Sequence, residues 1–234
     1  MAGSRSSRLG GGARGEVPGG ADYPATDDDP ATDDDPDLLR PAPQSWHRRT
    51  AIEMAISGVL GLFASFNISI EAWQLAANPS AVFLCDINQV LSCGKVARTW
   101  QATLLGFPNA FLGIFFETVV LVISVSTIAG VRFPRFIMRG AEALYTIGLF
   151  FALWLFSQSY FVIHALCPWC LVICFTTTLV WWGLTRMNVR DRHLPAPAWA
   201  RRLIASGYDW YIVIAFLLVL VVLIIVRYGA LLLG

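Results

Sequence analysis

At 234 residues, 56% hydrophobic and only 14% charged, with a mean hydropathy of +0.59, the chain falls outside the balance of a soluble domain and points to a bilayer as solvent. A net charge of +1 at neutral pH excludes the overall basic excess of a nucleic-acid binder. Five cysteines are too few for a disulfide-scaffold fold, and four of them stand in two spaced pairs that need a chemical reading.

Residues 1–45 are rich in Gly, Ser, Pro and Asp and carry a tandem repeat, Pro24 to Asp29 and then Pro30 to Asp35. So little apolar area does not offset the entropy of ordering, which predicts a disordered tail on the cytoplasmic side. No apolar run follows its arginines at the distance a cleavable signal peptide needs. From Thr50 onward, five apolar stretches are each long enough to cross about 30 Å of hydrocarbon. They lie near 51–74, 108–130, 141–165, 168–185 and 208–228. The expected fold is an all-α membrane protein, a four-helix catalytic bundle over 46–185 plus one helix over 208–234, joined by a cytoplasmic linker at 186–207. Trp181 and Trp182, and Trp73 near the other membrane face, fit interfacial belts.

Arginines set the orientation. Arg48 and Arg49 precede the first span, Arg132, Arg135 and Arg139 separate the second and third, and Arg186, Arg190, Arg192, Arg201 and Arg202 separate the fourth and fifth. These segments share one side, expected to be cytoplasmic, in a cell membrane. The opposite side then receives the loop 75–107 and the tight turn between spans three and four. Both cysteine pairs fall there, where disulfides form and persist.

In Cys167-Pro168-Trp169-Cys170 the cysteines stand one helical turn apart, so their sulfurs can close a short disulfide. Pro168 suits a first helical position and makes Cys167 the N-cap. There the free N–H groups and the positive helix end favour the thiolate and make it a better leaving group. Cys85 and Cys93 share the long loop on the same side, and alone they read as a structural staple. Facing a Cys-x-x-Cys they form a relay: a substrate thiolate attacks the loop disulfide, the reduced loop attacks the helix disulfide, and electrons pass inward. Beside hydrocarbon, a lipid-soluble quinone is the natural final acceptor, and Cys170, one turn inside, is the sulfur placed to meet it. The competing reading is a non-enzymatic metal-binding module with zinc on Cys85, Cys93, Cys167 and Cys170.

The Cys-Asp-x6-Cys loop from Cys85 to Cys93, then Phe107-Pro108-Asn109 at the start of the second span, then the helix-borne Cys167-x-x-Cys170, in that order, resemble the vitamin K epoxide reductase family, specifically its bacterial branch. The resemblance covers about residues 50 to 185. It implies that Cys93 forms the transient loop-to-helix disulfide with Cys167, that Cys85 meets a partner protein, and that Cys170 acts on the quinone. It also implies that Asn109 hydrogen-bonds a quinone carbonyl and that Thr99, six residues after Cys93, supplies the hydroxyl that the family usually takes from serine. Cys174 stands where vertebrate members carry a tyrosine near the quinone. Nothing after the fifth span has room for a fused thioredoxin-like domain, so the expected partner is a separate DsbA-like thioredoxin-fold protein. Regenerating an oxidant of about -120 mV requires an acceptor of the quinone kind. The tail composition suggests a GC-rich bacterial genome and favours menaquinone. A vitamin K quinone or epoxide reductase is the alternative within the same class.

Three further residues carry two readings each. Asn109, by itself, could satisfy backbone groups at a helix start. His164, just before the motif, could tune Cys167 or simply pack at the interface. Glu117, inside the second span, is a proton-transfer hypothesis by default or a carboxyl paired within the bundle.

Overall fold

The structure, a computed structural model, describes the backbone of residues 42–233 and side chains through residue 229. The predicted tail lies outside the described residues up to residue 41, and Gln44 already belongs to a helix. The chain is all-α, with α1 Gln44–Ala77, the short α2 Cys93–Ala97, a 3-10 turn Trp100–Thr103, α3 Ala110–Ile128, α4 Arg135–Gln158, a π-turn Ser159–Ile163, α5 Pro168–Arg190, α6 Ala198–Ser206 and α7 Asp209–Leu233. Five of these helices are long and apolar enough to cross a membrane.

The spans begin and end differently from the apolar runs that predicted them. Hydropathy marks the apolar segment, whereas a helix continues through polar residues until something stops it. Thus α1 starts just after Pro43 and takes in His47, Arg48 and Arg49. It is about 50 Å long, well beyond about 30 Å of hydrocarbon. Likewise α4 starts directly after Pro134, and α5 runs to Arg190, so Arg186 and Arg190 are helical rather than part of a linker. The expected linker also contains a helix, α6. At its other end α4 widens into the π-turn and is stopped by His164, in the left-handed region at φ 55°.

Helices α1, α3, α4 and α5 meet around Ala51, Met54, Val120, Ile123, Met138, Tyr145, Val180, Leu184 and Met187. Lipid tails are as apolar as these side chains, so close packing rather than escape from water selects the arrangement. Gly183 shows the closeness: a Cβ there would lie 2.5 Å from Met54 Cγ. Large apolar side chains such as Phe63, Phe115, Phe150 and Val226 remain on the outside, as a hydrocarbon surround permits.

Helix α7 docks at its two ends. At its start, fully buried Asp209 lies 2.7 Å from the Arg186 guanidinium and accepts a 3.0 Å hydrogen bond from the Trp182 indole. Arg186 in turn lies over the rings of Trp46 and Trp210 and 3.7 Å from Glu53. Towards its other end, Tyr228 donates to the carbonyl of Tyr160 in the π-turn at 2.9 Å. Trp182 is therefore a tether of α7, and Trp181 donates to the Thr146 hydroxyl on α4 at 3.0 Å. Both therefore contribute to helix packing through their N–H groups. Trp73, by contrast, is largely exposed.

Candidate redox site

Between α1 and α3 the chain folds a compact loop on one carboxylate. Asp86 accepts hydrogen bonds from the backbone N–H groups of Phe83 and Gly94, at 2.9 and 2.8 Å, and from the Ser92 hydroxyl at 2.7 Å. Burial pushes the Asp86 carboxyl up, but these hydrogen bonds and the Arg98 charge outweigh it and hold it below the usual carboxylate range. Arg98 also donates to the carbonyls of Pro79 and Ala81. Gly94 lies close under these side chains, so that a Cβ there, 2.7 Å from the Arg98 guanidinium and 2.8 Å from the Asp86 carboxylate, would displace them. The side chain of Asn88 accepts from the N–H groups of Val90 and Leu91 and shapes the loop tip. Within this frame Cys85 and Cys93 are joined by a disulfide, with Cα atoms 5.6 Å apart.

A short backbone pairing carries the loop to the helix motif. Leu91 and Leu166 form an isolated parallel bridge, in which Leu166 N–H donates to Val90 at 2.7 Å and Ser92 N–H donates to Leu166 at 3.0 Å. Two residues beyond Leu91 comes Cys93, and one beyond Leu166 comes Cys167. The pairing thus brings their sulfurs to 3.5 Å, with both side chains buried. Cys167 is the N-cap of α5, Pro168 opens the helix, and the Cys167 sulfur accepts the N–H of Cys170 at 3.2 Å. Cys167 and Cys170 are free thiols.

Behind the sulfurs lies a cavity of about 460 Å3 whose wall includes Glu71, Cys93, Asn109, Phe116, Glu117, Phe151, Cys167, Cys170 and Cys174. Its size and mostly apolar lining suit a small aromatic molecule held by a few polar groups. Asn109 is one of these. Its amide N–H2 donates to the Gln101 carbonyl at 2.6 Å, and its Oδ1 is buried without a partner. It makes no side-chain cap on α3, so capping that helix does not account for it. An amide with a spare acceptor and a second N–H, on the wall of an apolar cavity beside Cys170, fits a quinone headgroup.

Not every expected residue arrives there. Thr99 donates its hydroxyl to the Val96 carbonyl at 2.7 Å, closing the turn after α2, and is not on the cavity wall. Its one hydroxyl hydrogen is committed to local backbone satisfaction. His164 is exposed, with its ring on the Val162 carbonyl, and serves the helix reversal. Glu117 is buried against the cavity and receives the Tyr145 hydroxyl at 3.4 Å. The zinc alternative needs four thiolates, but two are spent in the Cys85–Cys93 disulfide, and the thiolate is the metal ligand.

Two residues lacked a role in the sequence reading. Asp86 was visible only as part of the loop pattern. Glu71, in α1, has one carboxyl oxygen 3.1 Å from the Cys85 sulfur. It obeys the rule that singled out Glu117, an acidic residue within an apolar run, yet lay near the end of its span. With loop disulfide, helix dithiol and cavity in contact, and a profile of the vitamin K epoxide reductase family matching residues 52–185, the chain belongs to that family of quinone-linked disulfide or epoxide reductases and is a multi-pass membrane oxidoreductase.

Proposed function

We propose that the protein is a quinone-dependent thiol:disulfide oxidoreductase that reoxidises a separate DsbA-like thioredoxin-fold protein and so drives disulfide formation outside the cytoplasm. The observation that carries this reading is the 3.5 Å approach of the Cys93 and Cys167 sulfurs, which links a loop disulfide to a helix dithiol on a cavity wall. In the proposed sequence a partner thiolate attacks Cys85, and Cys93 leaves as a thiolate. The partner's second thiolate then closes its own disulfide and releases Cys85. Cys93 attacks Cys167 in the oxidised Cys167–Cys170 pair, Cys170 leaves, and attack of Cys85 on Cys93 restores the loop disulfide and frees Cys167. Two electrons thereby move from partner to helix pair, and the two protons of the partner dithiol are released as its thiolates form. A bound quinone, proposed to be menaquinone on the tail composition, supplies the two-electron acceptor. Asn109 orients the ring by hydrogen bonding, Cys170 faces it, and the apolar wall excludes water. The arginine-rich end of the bundle is assigned to the cytoplasm by the positive-inside rule.

The decisive test is in cells. Cys85→Ala should leave the partner reduced, and Cys93→Ala should accumulate a mixed disulfide through Cys85 whose captured protein has a thioredoxin fold. An unchanged partner redox state in the Cys85→Ala strain overturns the relay. Assays of the purified protein with menaquinone, ubiquinone and vitamin K epoxide then fix the acceptor.

A further inference from the structure

Cys85 lacks what Cys167 has. Cys167 caps a 23-residue helix and accepts a backbone N–H, whereas Cys85 lies in a loop directly before the Asp86 carboxylate. A thiolate on Cys85 is therefore opposed by a neighbouring negative charge, and its proton needs somewhere to go. The polar atom against it is Glu71 Oε1, at 3.1 Å. At that distance a hydrogen on either partner turns the contact into a hydrogen bond between the carboxyl oxygen and the sulfur. A disulfide sulfur has none, so the carboxyl provides it while the loop is oxidised. When the loop is reduced, the Cys85 thiol provides it instead. The second carboxyl oxygen, Oε2, is buried with no partner, and Glu71 lines the same cavity as Cys93, Cys167 and Cys170.

We propose that Glu71 is the proton carrier of the loop disulfide, a catalytic residue that protonates Cys85 as it leaves the partner and deprotonates it for the return attack on Cys93. The idea rests on the relay proposed above. In the first half, the partner's second thiolate displaces Cys85 from the mixed disulfide, and the leaving sulfur takes the Glu71 proton, leaving a carboxylate. In the second half, Glu71 recovers that proton as Cys85 attacks Cys93 and the Cys167 thiolate departs. The carboxyl is then neutral again, as at the start, so Glu71 lends and recovers one proton with no net change over the cycle. No oxidant beyond the quinone is needed.

The test uses full-length protein in lipid nanodiscs, with dithiothreitol as dithiol and a short-chain menaquinone analogue as acceptor, the uncatalysed rate subtracted. Glu71→Gln keeps the shape and removes the exchangeable carboxyl proton. At pH 7 its turnover should fall by about 100-fold, the scale of general acid–base catalysis. The deficit should shrink as the pH approaches about 9, where a thiol ionises without help. Glu71→Asp, an acid one methylene shorter, should fall less and show the same trend. The other ionisable groups around Glu71 are Asp86 and Cys93 from the loop, Cys167, Cys170 and Cys174 from α5 and Glu117 from α3, and all are unaltered in both variants. A Glu71→Gln rate within about twofold of the unsubstituted protein at pH 7, or an equal deficit at every pH, overturns the proposal, the latter because packing alone then explains it. If Glu71→Gln loses the Cys85–Cys93 disulfide by thiol counting, the Glu71→Asp profile decides: a deficit that shrinks with pH supports the carrier, and one flat with pH overturns it. Cys85→Ala runs in parallel: retained turnover there rejects the relay itself, whereas loss there beside an unaffected Glu71→Gln rejects only the proton carrier.

Discussion

At the arginine-rich end of the bundle, buried charged or ionisable side chains each have partners: Arg186 has buried Asp209 and exposed Glu53, His47 has half-buried Asp191, and Glu142 accepts from Thr185 and Asn188. At the cysteine end the frame is different. One carboxylate, Asp86, gathers the loop, a two-bond backbone bridge aligns it, and behind it Glu71 and Asn109 each keep a buried oxygen without a partner. The first end holds the helices together through ion pairs, although Asp209 Oδ1 is itself buried without a hydrogen-bond partner. The second leaves atoms free for a sulfur, a proton or a ligand, and its strongest link is a disulfide. Stability and reactivity are thus placed at opposite ends of the same helices, so substitutions at each end should be read by different measurements.

The largest stability effect is expected at Arg186. Arg186→Ala strands the buried Asp209 carboxylate without its cation and should cost about 3–5 kcal/mol, read as loss of resistance to denaturant in detergent-solubilised protein. Arg186→Met combined with Asp209→Leu removes both charges and should recover most of that loss. Turnover per folded molecule should stay near that of the unsubstituted protein in the double variant. A large fall in its turnover would mean that the two ends are coupled rather than separate.

Much of the cysteine end is legible in the sequence because its chemistry is written in short spacings. Cys167 and Cys170 one turn apart, with Pro168 between them, already specify an N-cap thiol, and the five apolar runs specify the spans. The parallel bridge at Leu91 and Leu166 has no such signature, since two isolated backbone hydrogen bonds between segments 75 residues apart impose no side-chain pattern. Thr99 is a similar case: counting residues fixes its distance from Cys93 along the chain but not the turn to which it gives its hydroxyl hydrogen. At the other end, Arg186 counted as one more topology-setting arginine. Its burial depends on Trp46, Trp210 and Asp209, which meet only when α1, α5 and α7 assemble.

An intermediate effect belongs to Asp86. Replacement by Ala removes three hydrogen bonds to a charged acceptor and should loosen the loop by about 2 kcal/mol, read as faster amide exchange at Gly94 and easier reduction of the Cys85–Cys93 disulfide. The Asp86 carboxyl is held below its ordinary value near 3.8, so its contribution is complete above that value and is lost as the pH falls through the lowered one. Loop protection should therefore be flat at neutral pH and erode only below about pH 4. Erosion beginning near neutrality would assign it to another group.

The smallest effect tests whether the docking of α7 near the cysteine end matters to the site. Tyr228→Phe keeps the ring packed 5.8 Å from Tyr160 and deletes only the hydroxyl that donates to the Tyr160 carbonyl. The loss should be about 1 kcal/mol, the net worth of one hydrogen bond plus part of the cost of leaving that carbonyl unmet. Tyr160 belongs to the π-turn that leads through His164 to Leu166, and Leu166 carries the bridge that brings Cys167 to Cys93. If that turn positions the bridge, Tyr228→Phe should slow exchange between Cys93 and Cys167 as well as lower stability, which a rapid-quench measurement of the loop-to-helix disulfide would detect. A stability loss with an unchanged exchange rate would confine α7 to a structural role and place the positioning of Cys167 wholly in the backbone bonds of Val90, Ser92 and Leu166.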